Sequence, residues 1–97
     1  MADTDFDAVA GSLNNNIGSF QYVNKSIKTN ANGEATGLTF TEKQLPLIGI
    51  ENGWFYLFAK TGTNEYRCFT AGGSGSNVAS RPNTGNLTVP VLCYVLP

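Results

Sequence analysis

The sequence predicts an all-β fold, an antiparallel β-sandwich of six or seven strands preceded by a short helix or arm. Charged residues make up only 13% of the chain, and the remaining polarity comes from Asn, Thr, Ser and Gly, a mixture that favours strands and turns. Aromatic and apolar residues run continuously through residues 54–60 between two turn signals, as in a buried strand. Similar runs recur along the chain. We therefore expect an arm or short coiled-coil neck over residues 1–18 and the sandwich domain over residues 19–97.

Residues 3–17 are the segment with a helical pattern. Phe6, Val9, Leu13 and Ile17 recur at spacings of three, four and four, which places them on one stripe of a helix. A helix this short is marginal in water by itself. The stripe therefore indicates an oligomeric neck in which copies of the chain meet, a helix packed on its own domain, or a frayed tail.

Residues 19–29 and 34–41 are predicted to be two strands of one hairpin. Asn32-Gly33 lies between them, and this dipeptide suits the positive φ of a tight hairpin turn. Leu38 and Phe40 fall on one face of the second strand, with threonines on the other.

The next three strands are predicted at residues 44–50, 54–60 and 65–71, and the short turns between them predict an antiparallel meander. Pro46 removes a backbone donor, so the first of the three is expected to be an edge strand or to begin there. The strand over 54–60 is expected at the centre of the sheet, buried on both faces or nearly so.

The remainder of the chain is a long loop followed by a final strand. Residues 72–86 are rich in Gly, Ser and Asn, and a loop of this length in a small domain is usually functional or disordered. Residues 87–97 are apolar on both faces, so this strand is expected either in mid-sheet or with its second face against another subunit. Cys68 and Cys93 fall within predicted strands and are expected to be buried free thiols. The alternative is a disulfide, which would need neighbouring strands and an oxidising compartment.

Several classes of chemistry are excluded by composition. The chain has no histidine, so it lacks the commonest general base and the commonest zinc ligand. Its net charge of -1 gives no electrostatic footprint for nucleic acid. No apolar run is long enough to span a bilayer, and the acidic residues 1–5 do not resemble a secretory signal. We expect no enzyme activity, no cofactor and no metal.

Five residues are candidate ligand contacts. Trp54 and Tyr66 are amphipathic aromatic residues on which a sugar could stack, although both could equally belong to the core or a subunit interface. Asn77, Arg81 and Asn83 lie in the long loop, where Arg81 is expected to be exposed, either as an anchor for an acidic or hydroxyl-rich ligand or as a solvated charge.

The order of these segments resembles the C-terminal tip of a bacteriophage tail fibre or related virion fibre. The resemblance is carried by the Asn-rich end of the apolar stripe at 13–17, the Asn- and Thr-rich segment at 26–35, and the apolar strand at 89–96 that ends the chain. It implies a homotrimer that binds a host-surface glycan or protein, joins an upstream fibre or virion protein at its N-terminal end, and resides in the virion after assembly in the host cytoplasm.

Two other functions remain open. One is a monomeric carbohydrate-binding or adhesin module, and the other is a virion structural or decoration protein without a host ligand. A trimer in solution would favour the fibre tip, and a monomer would favour the carbohydrate-binding module.

Overall fold

The computed structural model describes residues 17–72 and 79–97, which contain six β-strands and no helix. The strands are β1 (Ser19–Ile27), β2 (Glu34–Thr39), β3 (Gln44–Glu51), β4 (Trp54–Gly62), β5 (Glu65–Ala71) and β6 (Leu87–Val95). The all-β prediction is confirmed, and each predicted strand matches an observed one to within two residues at either end. The helical pattern at 3–17 lies outside the described residues apart from Ile17. No helix in the described ranges could cross a membrane.

All six strands belong to one antiparallel sheet with the order β1-β6-β3-β4-β5-β2. The sheet curls into a half-barrel, and the predicted division into two packed sheets is not confirmed. The meander of β3, β4 and β5 is confirmed, because each pairs with the next. The final strand β6 lies in mid-sheet between β1 and β3, which is one of its two expected positions.

The predicted hairpin of the first two strands is wrong, because β1 and β2 form opposite edges of the sheet. The turn itself was correctly located: Gly33 has a φ of 73° and its N–H donates to the carbonyl of Asn30 at 3.0 Å. Strand β1, however, pairs with β6 and not with β2. Over nine residues β1 follows the apolar β6 without a register shift, and this pairing buries Ile27 and half-buries Val23 on the concave side.

The short connection over residues 28–33 requires the sheet to curl. In a flat sheet the two edge strands would lie ~24 Å apart, at about 4.8 Å per strand. Seven residue steps from Ile27 to Glu34 reach at most ~25 Å when fully extended, and the turn at 30–33 shortens that reach. The edges must therefore approach each other at this end of the sheet.

Pro46 is not on an edge strand, since β3 lies between β6 and β4. The expected edge position is wrong for the strand as a whole, but Pro46 itself has a paired strand on only one side. Pro46 pairs with Cys93 of β6, while the pairing of β3 with β4 begins only at Ile48. At Pro46 the strand thus has a neighbour on one side, and the missing N–H leaves no gap in the β3–β4 ladder.

The core lies on the concave side of the curled sheet, which we call the inner face. Its buried residues come from all parts of the sheet: Ile27, Ala35, Phe40, Tyr56, Tyr66, Cys68, Val89, Val91 and Cys93. Both cysteines are free, as expected. Gly49 makes room for this packing, because a Cβ there would lie 2.9 Å from Cγ1 of Val89 and 3.0 Å from Cβ of Tyr56.

The convex side of the sheet, which we call the outer face, is not covered by any of the described residues. Strand β4 was expected to be buried on both faces, but Phe55 and Leu57 on its outer side are each 44% exposed. The reason is that a single curled sheet has one interior, and no element among residues 17–72 and 79–97 covers its other side.

The two ends of the half-barrel differ in what they carry. One end, here the terminal end, holds the beginning of β1, the end of β6 and the turn at 63–64. The opposite end, here the loop end, holds the connection 28–33, the turn at 52–53 and residues 79–86.

We predict that Gly33→Ala destabilises the fold far more than Gly37→Ala. The two glycines have nearly the same φ, 73° and 71°, so the backbone strain is matched. At Gly33 the new Cβ would lie 2.6 Å from both Cβ of Ser80 and Oγ1 of Thr70, whereas at Gly37 no atom lies within 4 Å. Urea denaturation should show losses in unfolding free energy of about 3 and about 1 kcal/mol respectively. Equal losses would show that the loop contact contributes nothing.

Candidate functional site

Two buried threonine hydroxyls join the segments of the loop end. The hydroxyl of Thr70 donates to the carbonyl of Gly33 at 2.7 Å and accepts from the N–H of Arg81 at 2.8 Å. The hydroxyl of Thr29 donates to the carbonyl of Arg81 at 2.7 Å and accepts from the N–H of Thr84 at 3.1 Å. Their exposed fractions are only 7% and 4%. The connection 28–33, the end of β5 and the segment 79–84 are therefore held as one unit.

A charged cluster lies beside these hydrogen bonds. Arg81, positioned by its backbone bonds to Thr29 and Thr70, forms an ion pair with Glu51 at the end of β3. The phenol of Tyr56 donates to Oε2 of the same Glu51 at 3.0 Å. Burial, followed by the hydrogen bond and charge of Glu51, raises the pKa of Tyr56 from its ordinary 10.0 to about 12.

Trp54 completes the cluster. The guanidinium carbon of Arg81 lies 6.0 Å from the centre of its ring. The backbone of Gly72 lies against the same ring, where an added Cβ would come within 2.5 Å of Cε3. The ring is half-buried, so part of it remains available at the surface of the loop end.

The structure brings three of the five candidate ligand residues to the loop end. Trp54 and Arg81 are neighbours, and Asn83 is exposed on the same end with a φ of 54°. Tyr66 lies apart from them near the turn at 63–64, 8% exposed, with its ring edge-to-face against a core phenylalanine. This burial favours the core alternative for Tyr66. Asn77 lies outside the described residues.

Arg81 was expected to be exposed, and that expectation is wrong. Its side chain is only 22% exposed, because it is drawn onto Glu51, whose own side chain is 20% exposed. Glu51 itself was not singled out from the sequence. Its signal was available: it is the one charged residue among residues 45–59, an otherwise uncharged stretch, so a specific partner could have been expected.

The loop end is a polar surface with few charges: Arg81, which is paired with Glu51, and the exposed Lys28. Because Arg81 and Glu51 compensate each other, the cluster presents no strong field to a ligand. An exposed amide at Asn83 and part of the Trp54 ring can offer hydrogen bonds and a stacking surface. Within the described residues, no group of three or more potential metal ligands occurs.

The outer face is the second candidate site. Cross-strand pairing aligns apolar side chains in rows, and one row crosses β1, β6, β3 and β4 through Tyr22, Leu92, Ile48 and Leu57. Seven side chains of this face are strongly exposed, and one of them, Leu47, is the bulge residue of β3. The seven are Phe20, Tyr22, Leu45, Leu47, Ile50, Phe55 and Leu57. At the described outward positions of these four strands there is no charged residue.

Charged residues lie at the border of the outer face. On β5, Arg67 lies 4.3 Å over the ring of Phe69 and covers it. The same guanidinium is 3.9 Å from Glu34 of β2, the edge strand. The apolar surface is thus confined to the β1-β6-β3-β4 side of the half-barrel.

Comparison with known proteins provides no relative. The chain matches no protein-family model, no curated protein and no solved structure. What the protein does has to be inferred from the loop end and the outer face.

We predict that the Tyr56 phenol ionises near pH 12 and that the fold loses stability on the way there. Since the folded-state pKa is raised above the unfolded value, the stabilisation from Tyr56 is complete below about pH 10 and is lost as the pH rises to about 12. Tyrosinate absorbance should show one late-titrating group that is missing from Tyr56→Phe. Glu51→Gln should lower the pKa of Tyr56, because both contributions of Glu51 raise it. An unchanged titration in Glu51→Gln would contradict the assigned cause.

We also predict that Thr70→Val lowers the free energy of unfolding by about 2 kcal/mol. The replacement has nearly the same shape but leaves the buried N–H of Arg81 without its acceptor. Thr39→Val, on the exposed side of β2, is the matched control and should change the unfolding free energy by less than about 0.5 kcal/mol. Thermal or urea denaturation of both variants provides the comparison.

Proposed function

We propose that this chain is the tip domain of a virion fibre, a non-enzymatic homotrimer that binds a glycan or protein on the host cell surface through its loop end. The observation that carries the proposal is the separation of the two ends of the half-barrel. The chain enters the sheet at the terminal end, where Ser19 pairs with Val95. Trp54, Arg81 and Asn83 lie at the opposite end, about 30 Å away along a nine-residue strand.

This arrangement suits attachment at one end and contact at the other. A shaft on the N-terminal side would approach the terminal end, and the loop end would then be the part farthest from the shaft. Loops on a rigid sheet are the usual location of binding residues. Here the hydrogen bonds of Thr29 and Thr70 fix the loop segments to the sheet, so a ligand would meet a preorganised surface.

The chemistry of the loop end favours a hydroxyl-rich ligand. The ion pair of Arg81 with Glu51 compensates the guanidinium, which makes Arg81 a weak anchor for an acidic ligand. Asn83 can donate and accept hydrogen bonds at once, and the half-buried Trp54 ring can pack on the apolar face of a sugar. We therefore place a polar glycan first among host-surface ligands.

The outer face, which no described residue covers, favours the trimer over a monomeric carbohydrate-binding module, because other copies of the chain could bury that apolar surface. A decoration protein without a host ligand would share the outer face but would not need the loop end. The two functions therefore differ in what a loop-end substitution does.

We predict that Asn83→Gly weakens cell binding about tenfold, whereas Asn64→Gly leaves it unchanged. Both asparagines have positive φ, 54° and 56°, so glycine preserves each backbone and removes only the side chain. Asn83 is at the loop end and Asn64 is at the terminal end. The loss of one hydrogen-bonding side chain corresponds to about tenfold in affinity.

Binding is measured by flow cytometry of the fluorescently labelled protein on a panel of bacterial strains, with purified lipopolysaccharide and capsular polysaccharide as soluble competitors. Saturable binding to some strains, lost in Asn83→Gly, supports the fibre tip. Equal effects of the two substitutions would reject the loop end as the contact surface. A folded protein that binds no strain would favour the decoration protein.

A further inference from the structure

We infer that a second copy of this chain covers the outer face of β1, β6, β3 and β4. This inference rests on the proposed homotrimer and names the surface through which its copies meet. It is carried by the area of the face, its lack of charge and the protection of both sheet edges.

The area of the outer face matches a stable interface. Its seven strongly exposed side chains are between 38% and 68% exposed. With about 200 Å² for each fully exposed large side chain, they present ~700 Å² to solvent. A standard interface buries ~800 Å² on each partner, whereas the largest apolar patch of a typical monomer is ~300–600 Å². The face is therefore larger than a monomer usually leaves in water, and in a cyclic trimer it would be shared between the two neighbouring copies.

The composition of the face suits contact with an identical surface. Copies of a charged face would repel each other unless their charges interleaved, but the described outward positions on these four strands carry none. Its residues are aromatic and branched aliphatic, which resembles the core of a homodimer interface more than its rim. The ion pair of Arg67 with Glu34 lies at the border, where an interface becomes polar.

The alternative mode of self-association, pairing of edge strands, is disfavoured at both edges. Strand β2 is short, and a register shift between Ala35 and Leu38 interrupts it. Strand β1 carries Lys25 among its inward positions, with Nζ 4.6 Å from the centre of the Phe40 ring. Bulges and inward charges are devices that block edge pairing. The copies must then meet through the outer face.

The proposed fibre tip requires one orientation of the copies. Side-by-side packing about an axis along the strands directs all loop ends the same way, with all terminal ends at the other side. A cyclic trimer of this kind would present three loop ends together, so that weak individual contacts to a repeating surface add up.

The test is the solution mass of the intact chain, by light scattering on a size-exclusion column at several concentrations. The wild type should elute with three times the 10.3 kDa of one chain. Leu57→Lys places a charge in the apolar row that crosses the four strands and should raise the concentration at which the oligomer dissociates by at least about 100-fold, because an unpaired lysine would be buried. Thr39→Lys adds the same charge on the outward side of polar β2 and should leave the mass unchanged.

The outcomes separate this inference from the proposed function. A trimer that persists in Leu57→Lys overturns the inference and leaves the fibre tip intact. A dimer that dissociates in Leu57→Lys supports the inference and rejects the trimer. A monomeric wild type overturns both. If Leu57→Lys fails to fold, Tyr22→Lys provides the same test, because Tyr22 is 68% exposed on the edge strand and its replacement removes little of the core of one copy.

Discussion

The structure depends on two buried threonine hydroxyls that hold the half-barrel in its curl. Thr29 and Thr70 each bridge segments that lie far apart in the sequence, and each bonds to the backbone of Arg81. A backbone bond from the N–H of Asn83 to the carbonyl of Asn30, at 2.9 Å, also joins the segment 79–84 to the connection 28–33. The short connection draws the edges of the sheet together, and these hydrogen bonds hold both the curl and the placement of Arg81 on Glu51. At the loop end, the same hydrogen bonds stabilise the fold and position the candidate site.

The strands could be predicted from the sequence because they depend on local patterns, whereas their partners could not. Alternating and continuous apolar runs, bounded by Gly and Asn, located every strand. The pairing of β1 with β6 joins residues at opposite ends of the chain, and no local signal distinguishes it from a hairpin. The candidate site also depends on contacts between distant parts of the chain, which have no local sequence signal. Trp54 and Arg81 could each be proposed by residue type, but their proximity depends on threonines that resemble any others in a Thr-rich sequence.

The low charge content of the chain reflects the two apolar faces of its sheet. Most apolar residues of the strands are divided between an inner face that one copy buries and an outer face that it leaves exposed. A chain designed to remain alone would place charges on the second face, as most antiparallel sheets do. Among the described residues, the charges lie off the outward positions of β1, β6, β3 and β4, on the inward side of β1 and β4, on β5 and β2, in the turns and at the loop end. Folding of the described strands therefore buries one half of the apolar pattern, and the proposed association of copies would bury the other.

The two buried thiols are internal probes of local opening of the sheet. Cys68 lies on β5, beside the edge strand β2, and Cys93 lies on β6, beside the edge strand β1. Both are inaccessible in the closed half-barrel, and burial raises the pKa of each, so neither can react with an alkylating reagent until its side of the sheet detaches. The two alkylation rates would therefore report separately how often each edge of the sheet comes loose.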